Sequence, residues 1–179
     1  DTDFSDGTTY SEEELYKKIT TEYNLETFHS ISLTGGEPLL SAEFLKEFLP
    51  MIKGITKIYL ETNATLSDKL PLIKNYIDII SADIKLNLNP EIHREFFKQC
   101  NGIQTFAKIV FDENISDINI EECINLGKQF NLELILQPKM DGYRMTVTSD
   151  FCNEILDKFT AKYHNVRLIP QVHKFLDVR

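Results

Sequence analysis

Polar residues of the kinds that bind ligands or move protons recur at the ends of short apolar runs. Thr34-Gly35-Gly36-Glu37-Pro38 follows one run, and Glu61-Thr62-Asn63-Ala64-Thr65 closes a second. Ser81, Asp83 and Lys85 punctuate a third, Gln137-Pro138 ends a fifth, and Pro170-Gln171-Val172-His173-Lys174 follows a sixth. Lys108 and Asp112 in the fourth run match the pattern less clearly and are not counted as site residues. Paired glycines at a strand end let a ligand approach the backbone with no Cβ in the way. With Glu37 beside them, the ligand group that fits is a cation such as an ammonium. A phosphate loop needs G-x-x-x-x-G-K-[ST], and no lysine follows here; the dinucleotide pattern G-x-G-x-x-G is also missing. Plain turns are the alternative for the glycine pair and for Glu61 and Asn63. Glu61, Ser81, Asp83 and Gln137 stand inside apolar runs, where turn chemistry explains them less well.

The elements that must position these groups alternate between strand and helix. Predicted strands cover 29–34, 58–62, 79–84, 106–111, 132–136 and 166–169. A helix over 8–23 precedes them all. Ser41 is a predicted N-cap for a helix with Phe44, Leu45, Phe48, Leu49 and Ile52 on one face. Leu66, Leu70, Ile73 and Ile77 outline the next helix. Pro90 opens another that ends at Asn101-Gly102. Asn119 with Glu122 resembles a capping box for a helix through Phe130, and Ser149 is placed as the cap of the last. This alternation predicts βα units on a parallel sheet in one domain spanning residues 1–179. Six strands suit either an open doubly wound sheet or an incomplete barrel. In both, ligands sit at the carboxyl ends of the strands, where the polar groups above converge.

The chain has 179 residues with 19 basic and 28 acidic side chains, a formal net charge of −9. A field of that sign repels phosphate backbones and anionic lipid, so neither nucleic acid nor membrane is an expected partner. No apolar run approaches the roughly 20 residues of a membrane span. Cys100, Cys123 and Cys152 form no C-x-x-C pair, and each falls on the apolar face of a predicted helix, as core thiols do. Reduced thiols and a cytoplasmic location are the default expectation.

Several of these segments also carry a family resemblance. SLTGGEPLL (32–40) resembles the GGEP motif of radical S-adenosylmethionine enzymes. ETNAT (61–65), SADIK (81–85), LILQP (134–138) and VRLIPQVHK (166–174) are similar, in the same order, to the 7-carboxy-7-deazaguanine synthase family and its relatives among organic-radical activating enzymes. The fold this implies is α/β, an incomplete (β/α)6 barrel of parallel strands. The family holds a [4Fe-4S] cluster on a C-x3-C-x2-C loop that this chain does not contain. Its Asp1-Thr2 matches the dipeptide after the family's last cluster cysteine. The expectation is therefore a fragment without the first strand and cluster loop, inactive alone, with an exposed sheet edge beside Ile31–Leu33.

The resemblance also implies roles. Thr34, Gly35, Gly36 and Glu37 would hold the methionine moiety of S-adenosylmethionine. Ser81, Asp83 and Lys85 would hold its ribose or carboxylate, and Gln137 would add a contact. Glu61, Asn63, Gln171 and His173 would face a pterin-like substrate, with a surface or core histidine as the alternative reading of His173. Thr2 matches a magnesium-contacting threonine. His29, His93 and His164 match no motif and are read as structural. The implied reaction is radical ring contraction of 6-carboxytetrahydropterin, with flavodoxin or ferredoxin as electron donor and a homodimer as a possible assembly. The alternatives are a glycyl-radical activase of the same superfamily, or a non-catalytic module if no cysteine triad is encoded upstream.

Overall fold

The structure, a computed structural model, describes residues 7–172 and 174. Thr2 and His173 therefore lie outside the described residues. Six strands form one parallel sheet in strictly sequential order: β1 (Ser30–Leu33), β2 (Lys57–Thr62), β3 (Ile79–Ile84), β4 (Gln104–Phe111), β5 (Glu133–Pro138) and β8 (Val166–Leu168). Two further short strands, β6 (Met140–Asp141) and β7 (Arg144–Met145), make an antiparallel hairpin directly after β5 that periodicity did not anticipate. The sheet is open, with β1 and β8 as its edges. Among the described strands the order has no reversal, as in a partial (β/α) barrel and unlike a doubly wound sheet. Right-handed crossovers between sequential neighbours place all the helices on one face.

Side-chain alternation records that arrangement. Ile58, Leu60 and Thr62 of β2, Ile80, Ala82 and Ile84 of β3, Ala107, Ile109 and Phe111 of β4, and Leu134 and Leu136 of β5 are buried. They share one core with Leu45, Leu49 and Ile52 of α2 (Ala42–Ile52), Leu70 and Ile73 of α3 (Leu70–Ile73), and Phe96 and Phe97 of α4 (Pro90–Gln99). Ile120 and Ile124 of α5 (Asp117–Phe130) and Ile155 and Phe159 of α6 (Ser149–Thr160) complete it. The residues between these on each strand face the other way, and they include most of the polar groups singled out above.

Local chemistry accounts for the helix boundaries, with five corrections to the sequence reading. The first helix, α1, runs Glu12–Glu22 behind a full Ser11/Glu14 capping box and does not reach back to Thr8. Ser41 makes no side-chain cap; a 3-10 turn over Pro38–Ser41 leads into α2, and Glu37 caps that turn instead. The predicted helix through Leu66 and Ile77 shortens to α3 plus a 3-10 turn, with Pro71 in the first turn of α3, where its missing N–H costs least. Asn119 is the third residue of a capping box whose cap is Ser116, and Thr148 rather than Ser149 caps α6. At α4 the reading holds: Asn89 accepts from the Glu91 amide and Pro90 takes the first helical position.

One close approach fixes α5 on the sheet. A Cβ on Gly127 would lie 3.0 Å from the Tyr163 ring and 3.1 Å from Leu134. Tyr163 Oη donates toward the carbonyls of Gly127 and Leu132 at 3.1 and 2.7 Å. The core supplies a direct test. Leu60 is fully buried on β2 with no ligand-facing contact, so Leu60→Ala should lower stability by about 2–5 kcal/mol in urea denaturation.

Candidate functional site

The face of the sheet opposite the helices carries the candidate site. Parallel register sets its rows: Glu61, Ser81, Phe106 and Glu133 lie side by side, and Asp83, Lys108, Ile135 and Arg167 form the next row toward the carboxyl ends. Tyr59 and Phe106, with ring centroids 6.2 Å apart, lie on this face toward the amino-terminal ends of the strands. Burial, together with Glu61 and Asp83 nearby, pushes the Tyr59 hydroxyl pKa up. A cleft of about 470 Å³ opens at the carboxyl ends of β3 and β4, lined in part by Asp83, Lys85, Asn87, Asp112 and Lys139.

The loop after β1 presents open backbone. Gly35 and Gly36 have φ of +90° and +61°, and a Cβ on either would meet nothing within 4 Å. The left-handed region explains why glycine stands here, and the empty space leaves room for a ligand against the main chain. Glu37 does not hang free as the sequence suggested. Its Oε1 accepts from the Leu39 amide at 3.1 Å and the Thr62 hydroxyl at 2.9 Å, and its Oε2 accepts from the Asn63 amide at 2.8 Å. The carboxylate therefore stitches the end of β1 to the end of β2. Three donors leave about one of its four lone-pair directions for a further partner.

The 61–65 turn is wired just as closely. The Ala64 amide donates to Thr62 Oγ1 at 3.1 Å, and Asn63 Oδ1 accepts from the Thr65 amide and hydroxyl at 3.1 and 2.6 Å. That leaves the Asn63 amide nitrogen as the part of its side chain available to a ligand. Ala64, buried at φ +56°, is held in the left-handed region. Buried His93 of α4 secures it: Nδ1 lies 3.2 Å from the Ala64 carbonyl, and Nε2 accepts from the Lys85 amide at 3.0 Å. These partners specify the neutral tautomer with the proton on Nδ1. The structural reading of His93 thus holds, and it ties the ends of β2 and β3 together.

On β3, Ser81 is fully buried and its hydroxyl has no hydrogen-bond partner among the described residues. Asp83 Oδ2 lies 3.3 Å from Lys85 Nζ. Its Oδ1 lies 3.1 Å from Lys108 Nζ but outside hydrogen-bonding geometry, so it has a charge partner and no hydrogen bond. Lys108 also lies 3.9 Å from Glu61 Oε2. Lys108 was passed over in the sequence. The signal that finds it is alternation along β4, which puts it on the same face as Phe106 and Val110 and in register with Asp83. Gln137 of β5 lies level with Val110 on that face, and Gln171 is half-buried in the turn after β8. Thr34 is exposed beside the glycines.

No three His, Cys, Asp or Glu side chains among the described residues converge as a metal site. The cysteines in particular do not fit a cluster. Cys100, Cys123 and Cys152 are buried at or in three different helices, and burial pushes the Cys100 and Cys123 thiols up to about 12. A thiol that stays protonated is a poor iron ligand. Asp112, the other residue set aside in the sequence, pairs with Lys139 at 3.3 Å at the cleft edge, and backbone and side-chain donation from Asn114 helps hold its pKa down.

Two tests separate the scaffold from the chemistry. Glu37→Gln puts an amide NH2 against donors, so it should cost about 1–3 kcal/mol of stability by urea unfolding even without ligand. His93 has its pKa lowered, first by burial. The unfolded chain therefore takes up the proton first as pH falls. Stability should be constant above about pH 6.5 and drop below it, toward the lower folded-state pKa. His93→Gln, which does not titrate, should flatten that slope in thermal melts between pH 7 and 5.

Comparison with known proteins places this arrangement. No family model matches the chain. The 7-carboxy-7-deazaguanine synthase of Geobacter sulfurreducens is 34% identical over 156 residues, covering 82% of this chain and 62% of that protein. Those of Methanopyrus kandleri and Archaeoglobus fulgidus are 31% and 30% identical, covering 85% and 84% of this chain and 62% and 67% of theirs. The chain thus spans about 62–67% of the length of these relatives. Among solved structures, 7,8-dihydropteroate synthase from Vibrio fischeri superposes with a TM-score of 0.47 at 14% identity, over 96% of this chain and 73% of that one. At these identities and coverages the chain belongs to the 7-carboxy-7-deazaguanine synthase family.

Proposed function

We propose that this chain is the S-adenosylmethionine- and substrate-binding part of an enzyme that forms 7-carboxy-7-deazaguanine from 6-carboxytetrahydropterin, built on a partial (β/α) barrel. The observation that carries the reading is the open Gly35-Gly36 backbone, locked by Glu37 at the mouth of a sheet face that holds an unpartnered Ser81 hydroxyl.

S-adenosylmethionine fits these residues by its own chemistry. Its ammonium suits the remaining acceptor direction of Glu37, and its main-chain-sized methionine end suits the space over Thr34, Gly35 and Gly36. Ribose hydroxyls need acceptors, which the part-exposed Asp83 carboxylate supplies with Ser81 beneath it, while Lys85 offers a cation to the cofactor carboxylate. Gln137 would contribute from β5. When bound, the cofactor supplies the radical chemistry, and the protein supplies position, charge and exclusion of water. Glu61 accepts from the donor edge of a pterin, and Asn63 donates from its amide nitrogen. Gln171, and His173 beyond it in sequence, would close the far end.

The reading is tested in the full-length protein. Gly35→Ala should weaken S-adenosylmethionine binding by tenfold or more in titration calorimetry, because its Cβ both strains φ +90° and enters the ligand space. Ser81→Ala and Asp83→Asn should each lower affinity with little change in melting temperature. After anaerobic assembly of the holoenzyme, mass spectrometry should find 7-carboxy-7-deazaguanine. Cofactor cleavage without that product would move the substrate assignment elsewhere in the superfamily.

A further inference from the structure

Lys108 stands outside the groups assigned above to cofactor and substrate, yet it joins them. It projects from the middle of β4, with its side chain 20% exposed. Its ammonium lies 3.1 Å from Asp83 on the adjacent strand and 3.9 Å from Glu61, two strands away. Lys85 takes the other oxygen of Asp83 at 3.3 Å. Glu61, Lys108, Asp83 and Lys85 thus form a line of alternating charge that sums to zero across β2, β3 and β4.

Among the described residues Lys108 is within 4 Å of both carboxylates, whereas Lys85 reaches Asp83 alone. From β2 Lys108 faces Glu61 and the Tyr59 hydroxyl, and from β3 it faces Asp83, with Lys85 beyond. From β5 Ile135 lies in register with it, with Gln137 and Glu133 on the diagonals, and Glu133 pairs with Arg167 of β8. Beneath the line lies the fully buried Ser81 hydroxyl, beside the Tyr59 hydroxyl. A cation between two carboxylates on a half-buried surface attracts both and sets their spacing.

We propose that Lys108 is a positioning residue of this site, holding the Glu61 and Asp83 carboxylates at a fixed separation so that a donor-edged heterocycle on Glu61 and a vicinal diol on Asp83 bind side by side. The proposal rests on the ligand assignment of Glu61 and Asp83 made above. It gives Lys108 a role without contact to either ligand. Asp83 depends on it more than Glu61 does, because Asp83 is closer to the ammonium and less exposed.

High-resolution crystal structures of the full-length protein and its Lys108→Met variant test the first half. The Glu61 and Asp83 carboxylates should move apart in the methionine variant and keep their placement in Lys108→Arg. Lys108→Gln carries the same expectation should the methionine variant fail to fold. Unmoved carboxylates in a folded variant overturn the role of Lys108 and leave the ligand assignment standing. The second half is read in the same protein by calorimetric titration with S-adenosylmethionine and with 6-carboxytetrahydropterin. Lys108→Met should weaken both by about tenfold, with Lys108→Arg recovering most of it. Displaced carboxylates with unchanged affinities would overturn the link to binding, and with it the assignment of Glu61 and Asp83 to ligands.

Discussion

Burial of one sheet face beneath the crossover helices is the constraint on which the rest of this protein depends. Sequential parallel strands linked by right-handed crossovers put every helix on the same side. The apolar set at Ile58, Leu60, Ile80, Ala82, Ala107, Ile109, Leu134 and Leu136 is satisfied there and nowhere else. Alternation then leaves the intervening residues on the opposite face. Polar groups can persist at Glu61, Ser81, Asp83, Lys108 and Gln137 because the core does not need those positions. One geometric rule thus separates stability from chemistry along each strand.

The strand ends are stabilised by polar ties rather than by packing. Glu37 binds three donors from two loops, Thr62 relays between Glu37 and the Ala64 amide, and His93 spans Ala64 and Lys85. Each tie joins the ends of neighbouring strands, where main-chain pairing stops. The candidate surface is therefore fixed by the protein's own contacts, which reduces the ordering cost of binding. Because Glu37 is a scaffold as well as a candidate ligand group, loss of function in a Glu37 variant needs a stability measurement beside it.

The inner face is electrostatically balanced in spite of the net charge of −9. Lys85 and Lys108 offset Asp83 and Glu61 within a few ångströms, and Arg167 offsets Glu133 at 2.5 Å. The negative excess lies elsewhere, so the site itself does not repel an anionic cofactor end. The cysteines lie on the helical side, where burial holds Cys100 and Cys123 as protonated thiols.

Much of this was legible in the residues alone. Alternating apolar runs specified the strands and their order, and Gly35-Gly36, Glu61, Ser81, Asp83 and Gln137 announced themselves as polar groups where a core would place apolar ones. Helix starts were legible only to within a few residues, because Ser116 and Asn119, or Thr148 and Ser149, compete for the same cap and only backbone geometry decides. The shortened helix at Leu70 and the hairpin after β5 depend on packing that periodicity does not encode. What the sequence by itself determined is which residues are set apart from the core. What only the tertiary structure decided is which of them meet: that Glu37 is spent on Thr62 and Asn63, that His93 locks a turn 29 residues away, and that Lys108 lies between Glu61 and Asp83. Those contacts join strands that are neighbours in the sheet and distant in the chain, and register, not spacing, sets them.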